Sequence, residues 1–327
     1  MNIQNRKINS SLEKQYTLYF IVLLIGIFSI SFAPIFVKLS INEISPNATI
    51  FNRFWIASIV FSVWNGILAI RSSKSQDLLS EKKPDLSLPV LGLLLLMGSS
   101  FAAIQLLWAW SLSQTSVASS ITILHALRPL LTALGGWILF KNHYDRKFII
   151  GIIIAVLGAI LIGFNDFSDS IDKLQGDLLS VFSAILSALE LLIMEHLLKK
   201  FSTQSLMLWN CIIGTCMSAI VLLITGERFL PGSWQGWLAV ISLALVSQVL
   251  GHGLITYSLN YFSSGVIAVT MLLDPVLSAL FAWTILSEQL SLMNGVFCGV
   301  ILLGIYLTIT SQYTGKSGRL SSSSLVD

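Results

Sequence analysis

The feature that most constrains this chain is a succession of ten apolar runs, each about as long as a helix that crosses a lipid bilayer. A bilayer core about 30 Å thick requires roughly 20 helical residues. The runs cover residues 16–38, 49–70, 88–111, 117–140, 148–165, 175–198, 205–225, 234–258, 264–286 and 291–311. The connections are short, and the longest, residues 71–87, is too short for a soluble domain. The sequence therefore predicts an all-α integral membrane protein with ten transmembrane helices.

The composition agrees with this fold class, because 55% of the residues are apolar and only 11% are charged. A soluble domain carries about 25% charged residues. The basic residues are spread over short loops, so a lipid bilayer and not nucleic acid is the expected partner. Cys211, Cys216 and Cys298 all lie in apolar runs, at spacings that suit neither a disulfide framework nor a metal site. Neither a metal nor a cofactor is expected.

Lysine and arginine are distributed unequally between alternate loops. With a cytoplasmic N-terminus, 14 of the 19 basic residues lie in cytoplasmic segments and 3 lie in outer loops. Because positive residues favour the cytoplasmic side, both termini are predicted to be cytoplasmic, in the plasma or inner membrane. The acidic loop around Asp169 is then external. The first run is too long for the apolar part of a signal peptide, so we expect no cleavage. Residues 1–15 and 312–327 are predicted cytoplasmic tails, the second of them disordered.

Two charged residues lie near the middle of apolar runs, each directly before a proline. Arg128 precedes Pro129 in the fourth run, and Asp274 precedes Pro275 in the ninth. A charge at mid-bilayer depth costs about 2.5–3.5 kcal/mol on insertion scales, so it persists where it faces a partner or a wet cavity. Each proline removes a backbone hydrogen bond, and we expect a helix break at both positions.

The two halves of the chain are weakly similar to each other. Pro129 and Pro275 are 146 residues apart, and Gly158 and Gly304 repeat that offset. Five spans per half is an odd number, so the second half must be inserted upside down. Inverted repeats with interrupted helices at matching positions are typical of membrane transporters, whose substrate site lies between the halves. The predicted five-helix repeats cover residues 16–165 and 175–311.

With these features the chain resembles the drug/metabolite transporter superfamily, EamA type, over nearly its whole length. The resemblance rests on residues 32–38, 52–54, 118–140, 274–280 and 286–290. It implies ten spans and outward transport of small metabolites. The acidic residue that ends the fourth span of a family repeat is present as Glu288 in the second half, whereas the first half has Asn142 there. Arg128 and Asp274 go beyond the usual family pattern and are therefore expected to mark the substrate.

The central charges have two interpretations. Arg128 and Asp274 face a cavity, where they bind or gate a solute, or they form an internal ion pair that locks the halves together. His125 lies three residues before Arg128 on the same helical face, as a cavity residue or a satisfied core histidine. Glu190, an isolated carboxylate in the sixth run, is the candidate for proton coupling, with a hydrogen bond to a neighbouring helix as the alternative.

Other polar and aromatic residues are weaker candidates for the substrate site. Gln248 and His252 lie one turn apart in the eighth run, where they line the cavity or join helices. Trp110 and Tyr257 end the third and eighth runs, where they stack on a substrate or belong to aromatic belts. Arg53 is interpreted as an interfacial residue near an outer helix end, with its charged group extended toward the membrane surface.

The leading hypothesis is a secondary transporter that exports a small metabolite, such as an amino acid or a related polar solute. The two repeats would give the site alternating access. A second hypothesis is an exchanger of phosphorylated or nucleotide-linked solutes, whose phosphate would suit Arg128. A membrane enzyme acting on lipid is the third, but the sequence lacks clustered acid–base residues, and we predict no enzyme. Residues 315–317 lack the earlier glycine of a phosphate loop, so ATP is not expected to drive transport. The sequence is compatible with a monomer and with a homodimer.

Overall fold

The structure is a computed structural model that describes residues 3–74, 87–114, 117–141, 144–165, 171–286 and 292–311. All regular secondary structure in these residues is helical. The elements are α1 (Ile3–Ile30), α2 (Ala33–Ile41), α3 (Pro46–Lys74), α4 (Leu88–Gln114), α5 (Val117–Phe140), α6 (Arg146–Asn165), α7 (Ile171–Leu197), α8 (Thr203–Thr225), α9 (Trp234–Ser242), a π-helix (Leu243–His252), α10 (Gly253–Ser258), α11 (Ser264–Thr270), α12 (Leu273–Leu286) and α13 (Leu292–Ile309). Asp169, Asn142, Glu288 and the predicted C-terminal tail lie outside the described residues.

Each predicted apolar run coincides with one of these helices or with consecutive helices. Within the described part of the chain, seven segments are long and apolar enough to cross a bilayer. They are Gln15–Ile41, Pro46–Ile70, Leu88–Gln114, Leu178–Leu197, Thr203–Thr225, Trp234–Ser258 and Ser264–Ile285. Leu124–Leu139 and Gly299–Ile309 are shorter apolar segments. The all-helical, multi-pass membrane architecture is thus confirmed, while the number of ten spans stays a prediction.

The outside of the helix assembly is apolar and the inside holds polar side chains. Ile138, Leu223 and Ile224 expose 61%, 71% and 81% of their surface. Asn52 and Gln248, by contrast, are completely buried. This distribution suits a protein whose surrounding solvent is lipid, because lipid solvates aliphatic side chains and cannot hydrogen-bond amides.

Two of the spans are interrupted near prolines. The first is divided into α1 and α2 just before Pro34, and the ninth is divided at Met271 and Leu272, just before Pro275. The predicted break at Pro275 is therefore present. The predicted break at Pro129 is not, since α5 continues through this residue. The eighth span contains the ten-residue π-helix, an uncommon geometry that sequence periodicity did not predict and that is frequent at functional sites.

Matching helices of the two halves pack against each other and run antiparallel. Asn65, near the end of α3, donates to the Gln204 carbonyl at the start of α8. Lys147, at the start of α6, donates to the carbonyl of Thr310, just beyond α13. Helix α5 packs against both α11 and α12. Antiparallel contact between equivalent helices is the geometry that an inverted repeat requires.

At the end of the molecule where α2 ends, two carboxylates join the halves. Glu43 accepts hydrogen bonds from the Gly232 and Ser233 amides and from the Ser233 hydroxyl, at 2.6, 2.5 and 2.6 Å. The Ser233 hydroxyl is the largest of the influences that hold the pKa of Glu43 below its ordinary value. Glu227 accepts from the Asn47 amide at 3.1 Å and from Ser45. Because Ser233 also caps α9, the Glu43 carboxylate complements the positive end of that helix.

Candidate functional site

A cavity lies between the two halves, where the interrupted spans approach α3, α4 and α5, and water can enter about 40 Å³ of it. The first half contributes most of its wall, and the second half adds His252, Met271 and Asp274. We call this space the first cavity. Its lining consists of Ile30, Ala33, Pro34, Arg53, Ile104, Gln105, Trp108, Leu124, His125, Arg128, His252, Met271 and Asp274.

A second cavity, of which water can enter about 20 Å³, adjoins the first. Arg128, His252 and Met271 line both spaces and so form the partition between them. Glu190 and Asn210 supply polar groups to the second cavity, whose wall is otherwise rich in methionine and leucine. The two cavities therefore lie next to each other in the interior of the helix assembly, each with polar and apolar side chains in its wall.

Asp274 is held by neighbours on two different helices. Its Oδ2 lies 3.0 Å from Nε2 of His125, and its Oδ1 accepts from the Ser278 hydroxyl at 3.0 Å. The same hydroxyl lies 3.1 Å from the Ser31 carbonyl, at the interruption between α1 and α2. A hydroxyl has one proton, so Ser278 can donate to only one of these acceptors at a time. Ser278 thus lies between the Asp274 carboxylate of the ninth span and the interruption of the first span.

Arg128 does not form the direct ion pair with Asp274 that was one interpretation of the sequence. Its Nη1 donates to the sulfur of Met271 at 3.1 Å. Among the described residues, no ion pair within 4.0 Å joins Arg128 to Asp274, although Asp274 and Glu190 are the carboxylates that attract its charge. Arg128 is 7% exposed, and thioether sulfur is a weak acceptor. Most of the hydrogen-bonding capacity of this guanidinium is therefore available to a solute.

Arg53 lies inside the protein, which corrects its interpretation as an interfacial residue. Helix α3 begins at Pro46, three residues earlier than the apolar run, so Arg53 lies two turns inside the helix. Its side chain is 1% exposed. Nε donates to Oε1 of Gln248 at 2.8 Å, and Nη1 donates to Oε1 of Gln105 at 2.7 Å.

Glu190 lies in α7 and is 3% exposed. Its Oε1 accepts a long hydrogen bond of 3.4 Å from the amide of Asn210 on α8. The carboxylate also attracts the charge of Arg128 across the second cavity. A buried carboxylate with one weak partner, beside a cavity and a cation, is a group that can gain and lose a proton.

Several buried polar atoms around the cavities have no hydrogen-bond partner among the described residues. Such atoms are rare in native proteins, and each calls for a ligand or water. In the first cavity they belong to two arginines, a tryptophan and a histidine, and in the second to an asparagine. They are Arg53 Nη2, Trp108 Nε1, His125 Nδ1, Arg128 Nε and Asn210 Oδ1. The same holds for His252 Nε2 in the partition.

The remaining predicted residues divide between the cavities and the ends of the helices. His252 lies in the partition, with its ring 5.1 Å from that of Phe101. Gln248 lines neither cavity, but its side-chain oxygen accepts a hydrogen bond from Arg53, which lines the first. Trp110 lines neither cavity, and its indole N–H donates at 2.9 Å to Asn47, the residue whose amide also bonds to Glu227. Tyr257 also lies outside both linings, and its hydroxyl is 3.0 Å from that of Tyr261.

Among the polar and sulfur-containing residues of the first cavity, sequence reasoning missed Gln105, Trp108 and Met271, and it placed Arg53 at the membrane surface. Gln105 was detectable as an isolated amide in the middle of an apolar run, and Trp108 as its neighbour one turn later on the same face. Met271 gave no signal, because methionine is an ordinary core residue. Within the described ranges, no group of three or more histidine, cysteine, aspartate or glutamate side chains could hold a metal ion.

Comparison with known proteins supplies the family. Residues 17–164 and 174–310 each match the model of the EamA-like transporter family. An uncharacterized transporter of Archaeoglobus fulgidus is 25% identical over 289 residues, which are 85% of this chain and 93% of that protein. The uncharacterized transporter YdfC of Bacillus subtilis is 24% identical over 220 residues, 65% of this chain and 70% of YdfC. A solved crystal structure with 15% sequence identity superposes with a TM-score of 0.67, covering 89% of this chain and 96% of that one, and so shares the fold.

Proposed function

The chain belongs to the EamA-like transporter family, within the drug/metabolite transporter superfamily, and from this premise we propose that it is a ten-span secondary transporter. It exports a small polar metabolite, such as an amino acid or a related solute, by alternating access between two inverted five-helix repeats. The observation that carries the proposal is the pair of cavities between the repeats, lined by buried polar atoms that lack partners.

The location of the cavities supports transport through the interior. The first cavity lies where the first and ninth spans are interrupted, and Met271 at the second of these interruptions also lines the second cavity. Interrupted helices at a repeat interface are the usual construction of a transporter site. With both termini cytoplasmic in the plasma or inner membrane, the first cavity belongs to the outer half of the path and the second to the inner half. Arg128, His252 and Met271 then separate the two sides, and movement of one repeat against the other opens the partition.

The cavities are narrow in this conformation, since water can enter only about 40 Å³ of the first and about 20 Å³ of the second. Small-molecule sites have about 300–1,000 Å³, so the solute requires the two repeats to move apart. Glu190, at the second cavity, is the group we assign to proton coupling. Its carboxylate can carry a proton between the two sides, while Arg128 stabilises the ionised form.

Counterflow in proteoliposomes tests the proposal. Purified protein is reconstituted into vesicles loaded with unlabelled amino acids, and the entry of labelled leucine is followed. The variant Leu124→Trp places a large ring at the wall of the first cavity, where Leu124 is 7% exposed, and should abolish entry. Leu134→Trp on the same helix is the matched control, because Leu134 is 51% exposed on the lipid face.

Equal entry through both variants would show that the first cavity is not on the path. Absence of counterflow for every amino acid and organic acid in a panel would count against a transporter of this solute class. Export is tested separately in inside-out membrane vesicles, where a proton gradient should drive labelled solute inward and an ionophore should abolish its accumulation. Accumulation that persists under the ionophore would exclude proton coupling.

A further inference from the structure

Arg53 is a buried cation whose charge no neighbouring carboxylate balances. Its two hydrogen-bond partners, Gln105 and Gln248, are neutral amides. Among the described residues, no carboxylate lies within 4.0 Å of its guanidinium, and Nη2 has no partner at all. Burial of an uncompensated charge is strongly unfavourable, whereas a charge-assisted bond to an anion offsets that cost. The guanidinium therefore requires an anion from outside the chain.

Two further residues that line the same cavity carry nitrogen donors without a partner. Nε1 of Trp108 and Nε of Arg128 are both buried and unsatisfied, in side chains that are 6% and 7% exposed. An indole N–H and a guanidinium N–H can donate but cannot accept. Arg53, Trp108 and Arg128 come from three helices, α3, α4 and α5, and all three line the first cavity. Their common complement is a group that only accepts and carries negative charge.

The charges and the remaining wall of the cavity define that group more closely. With the histidines neutral and Glu190 protonated, the side chains around the first cavity hold two guanidiniums and one carboxylate, Asp274, and thus a net charge of one positive unit. A monoanion balances this charge, whereas a phosphate dianion exceeds it. Ile30, Ile104 and Leu124 make part of the wall aliphatic. A planar acceptor with two oxygens on an aliphatic body matches both the guanidinium geometry and the wall.

We propose that Arg53, Trp108 and Arg128 form a carboxylate-binding subsite in the first cavity, and that the solute is a small carboxylic acid with an aliphatic body. Amino acids and simple organic acids both carry this group. The inference rests on the proposed transport function for its physiological meaning, but binding to the subsite can be measured without transport.

The test compares three probes of nearly the same shape on the purified full-length protein. 4-Methylpentanoate is a monoanion, leucine carries the same carboxylate together with an ammonium group, and leucinamide keeps the ammonium group but has an uncharged amide in place of the carboxylate. Thermal melting is followed in sodium sulfate buffer as each probe is titrated. Leucine or 4-methylpentanoate should raise the melting temperature, and leucinamide should not. Loss of hydrogen bonds between charged partners weakens binding by about ten- to a hundredfold, which is the effect expected for Arg53→Gln.

Matched variants separate binding from folding. Arg228→Gln removes an exposed arginine and should leave the carboxylate response unchanged. Trp108→Phe keeps the ring and removes one donor, so it should weaken carboxylate binding about tenfold even if Arg53→Gln fails to fold. The proposal is overturned if leucinamide stabilises the protein as well as leucine does, or if neither carboxylate has an effect. It is also overturned if sodium chloride alone gives the whole response, which would make the subsite one for an inorganic anion.

Transport assays distinguish this inference from the function on which it rests. Carboxylate binding that depends on Arg53, without counterflow of the bound probe, would support the subsite and contradict the transporter proposal. Counterflow of leucinamide that is insensitive to Arg53→Gln would support a transporter and contradict the subsite.

Discussion

Substitution of Gly304 by alanine tests the crossing of α6 and α13, which joins the last helices of the two repeats. A methyl group on Gly304 would lie 2.4 Å from the amide nitrogen of Ala155, 2.6 Å from its Cβ and 2.7 Å from its Cα. Two of these atoms belong to the backbone, so the helices must separate by about 1 Å to reach ordinary contact. Overpacking of this kind costs about 1–3 kcal/mol.

Gly299, on the same helix, is the matched control. A methyl group there would meet no atom within 4 Å. Both substitutions gain the same helix propensity, up to about 1 kcal/mol, so the difference between them isolates the clash. Gly304→Ala should be less stable than Gly299→Ala by about 1–3 kcal/mol in equilibrium unfolding in mixed detergent micelles. Gly158→Ala, at the equivalent position of the first repeat, should be intermediate, since its nearest contact would be 2.9 Å. Equal stability of Gly304→Ala and Gly299→Ala would refute the crossing.

Three further predictions concern coupling, topology and pH. Glu190→Gln should abolish proton-driven accumulation in vesicles while counterflow is retained, and normal accumulation would remove Glu190 from the mechanism. A cysteine introduced at Asp169 should react with an impermeant thiol reagent on intact cells, and labelling only from the cytoplasmic side would contradict the ten-span topology. Because hydrogen bonds hold the pKa of Glu43 below 4.5, its carboxylate stabilises the protein at neutral pH, and that contribution is lost as the pH falls through the folded-state pKa. Glu43→Gln should therefore lower the melting temperature at pH 7, with the difference vanishing in acid; a difference independent of pH would exclude this linkage.

The positions of the helices could be predicted from the sequence, but their interruptions could not be predicted equally well. Apolar length alone located every run, since lipid requires continuous helix. Pro275 and Pro129 looked alike in sequence, yet only Pro275 follows an interruption. A helix absorbs a proline where neighbouring groups satisfy the freed carbonyl, and those neighbours come from the tertiary structure. The π-helix likewise has no periodic signature that a hydropathy pattern can detect.

Sequence reasoning located the central charges, but it assigned Arg53 to the membrane surface. The error was one of depth: the apolar run was taken to begin at residue 49, whereas helix α3 begins at Pro46. A shift of three residues moves a side chain by about 4.5 Å along the helix axis, which separates an interfacial arginine from a buried one. Trp110 was predicted as a substrate-site residue because it is aromatic and ends the third run, whereas Trp108, two residues earlier, is the tryptophan that lines the first cavity. Which of two such neighbours lines the cavity depends on the helix face that points inward, and a run that is apolar on every face does not show which face that is.

The contacts of the two central charges are related by the symmetry of the repeats. Comparison of the two halves of the sequence identified Arg128 and Asp274 as equivalent residues, but it did not identify the residues that they contact. At the offset of 146 residues, Arg128 is equivalent to Asp274, and His125 is equivalent to Met271. The observed contacts are Arg128 with Met271 and His125 with Asp274. Exchange of the two repeats converts one contact into the other, so the two contacts are pseudo-symmetric mates.

This register places the pseudo-two-fold axis midway between the two contacts. Arg128 and Asp274 each lie one and a half residues beyond the axis, in opposite directions, because the helices are antiparallel. At 1.5 Å per residue, the two charges are therefore offset by about 4.5 Å along the helices, which agrees with the absence of a direct pair between them. Symmetry alone would give both positions the same charge. A cation at one and an anion at the other make the shared cavity electrically polar, so a carboxylate solute has one favourable orientation within an otherwise two-fold site.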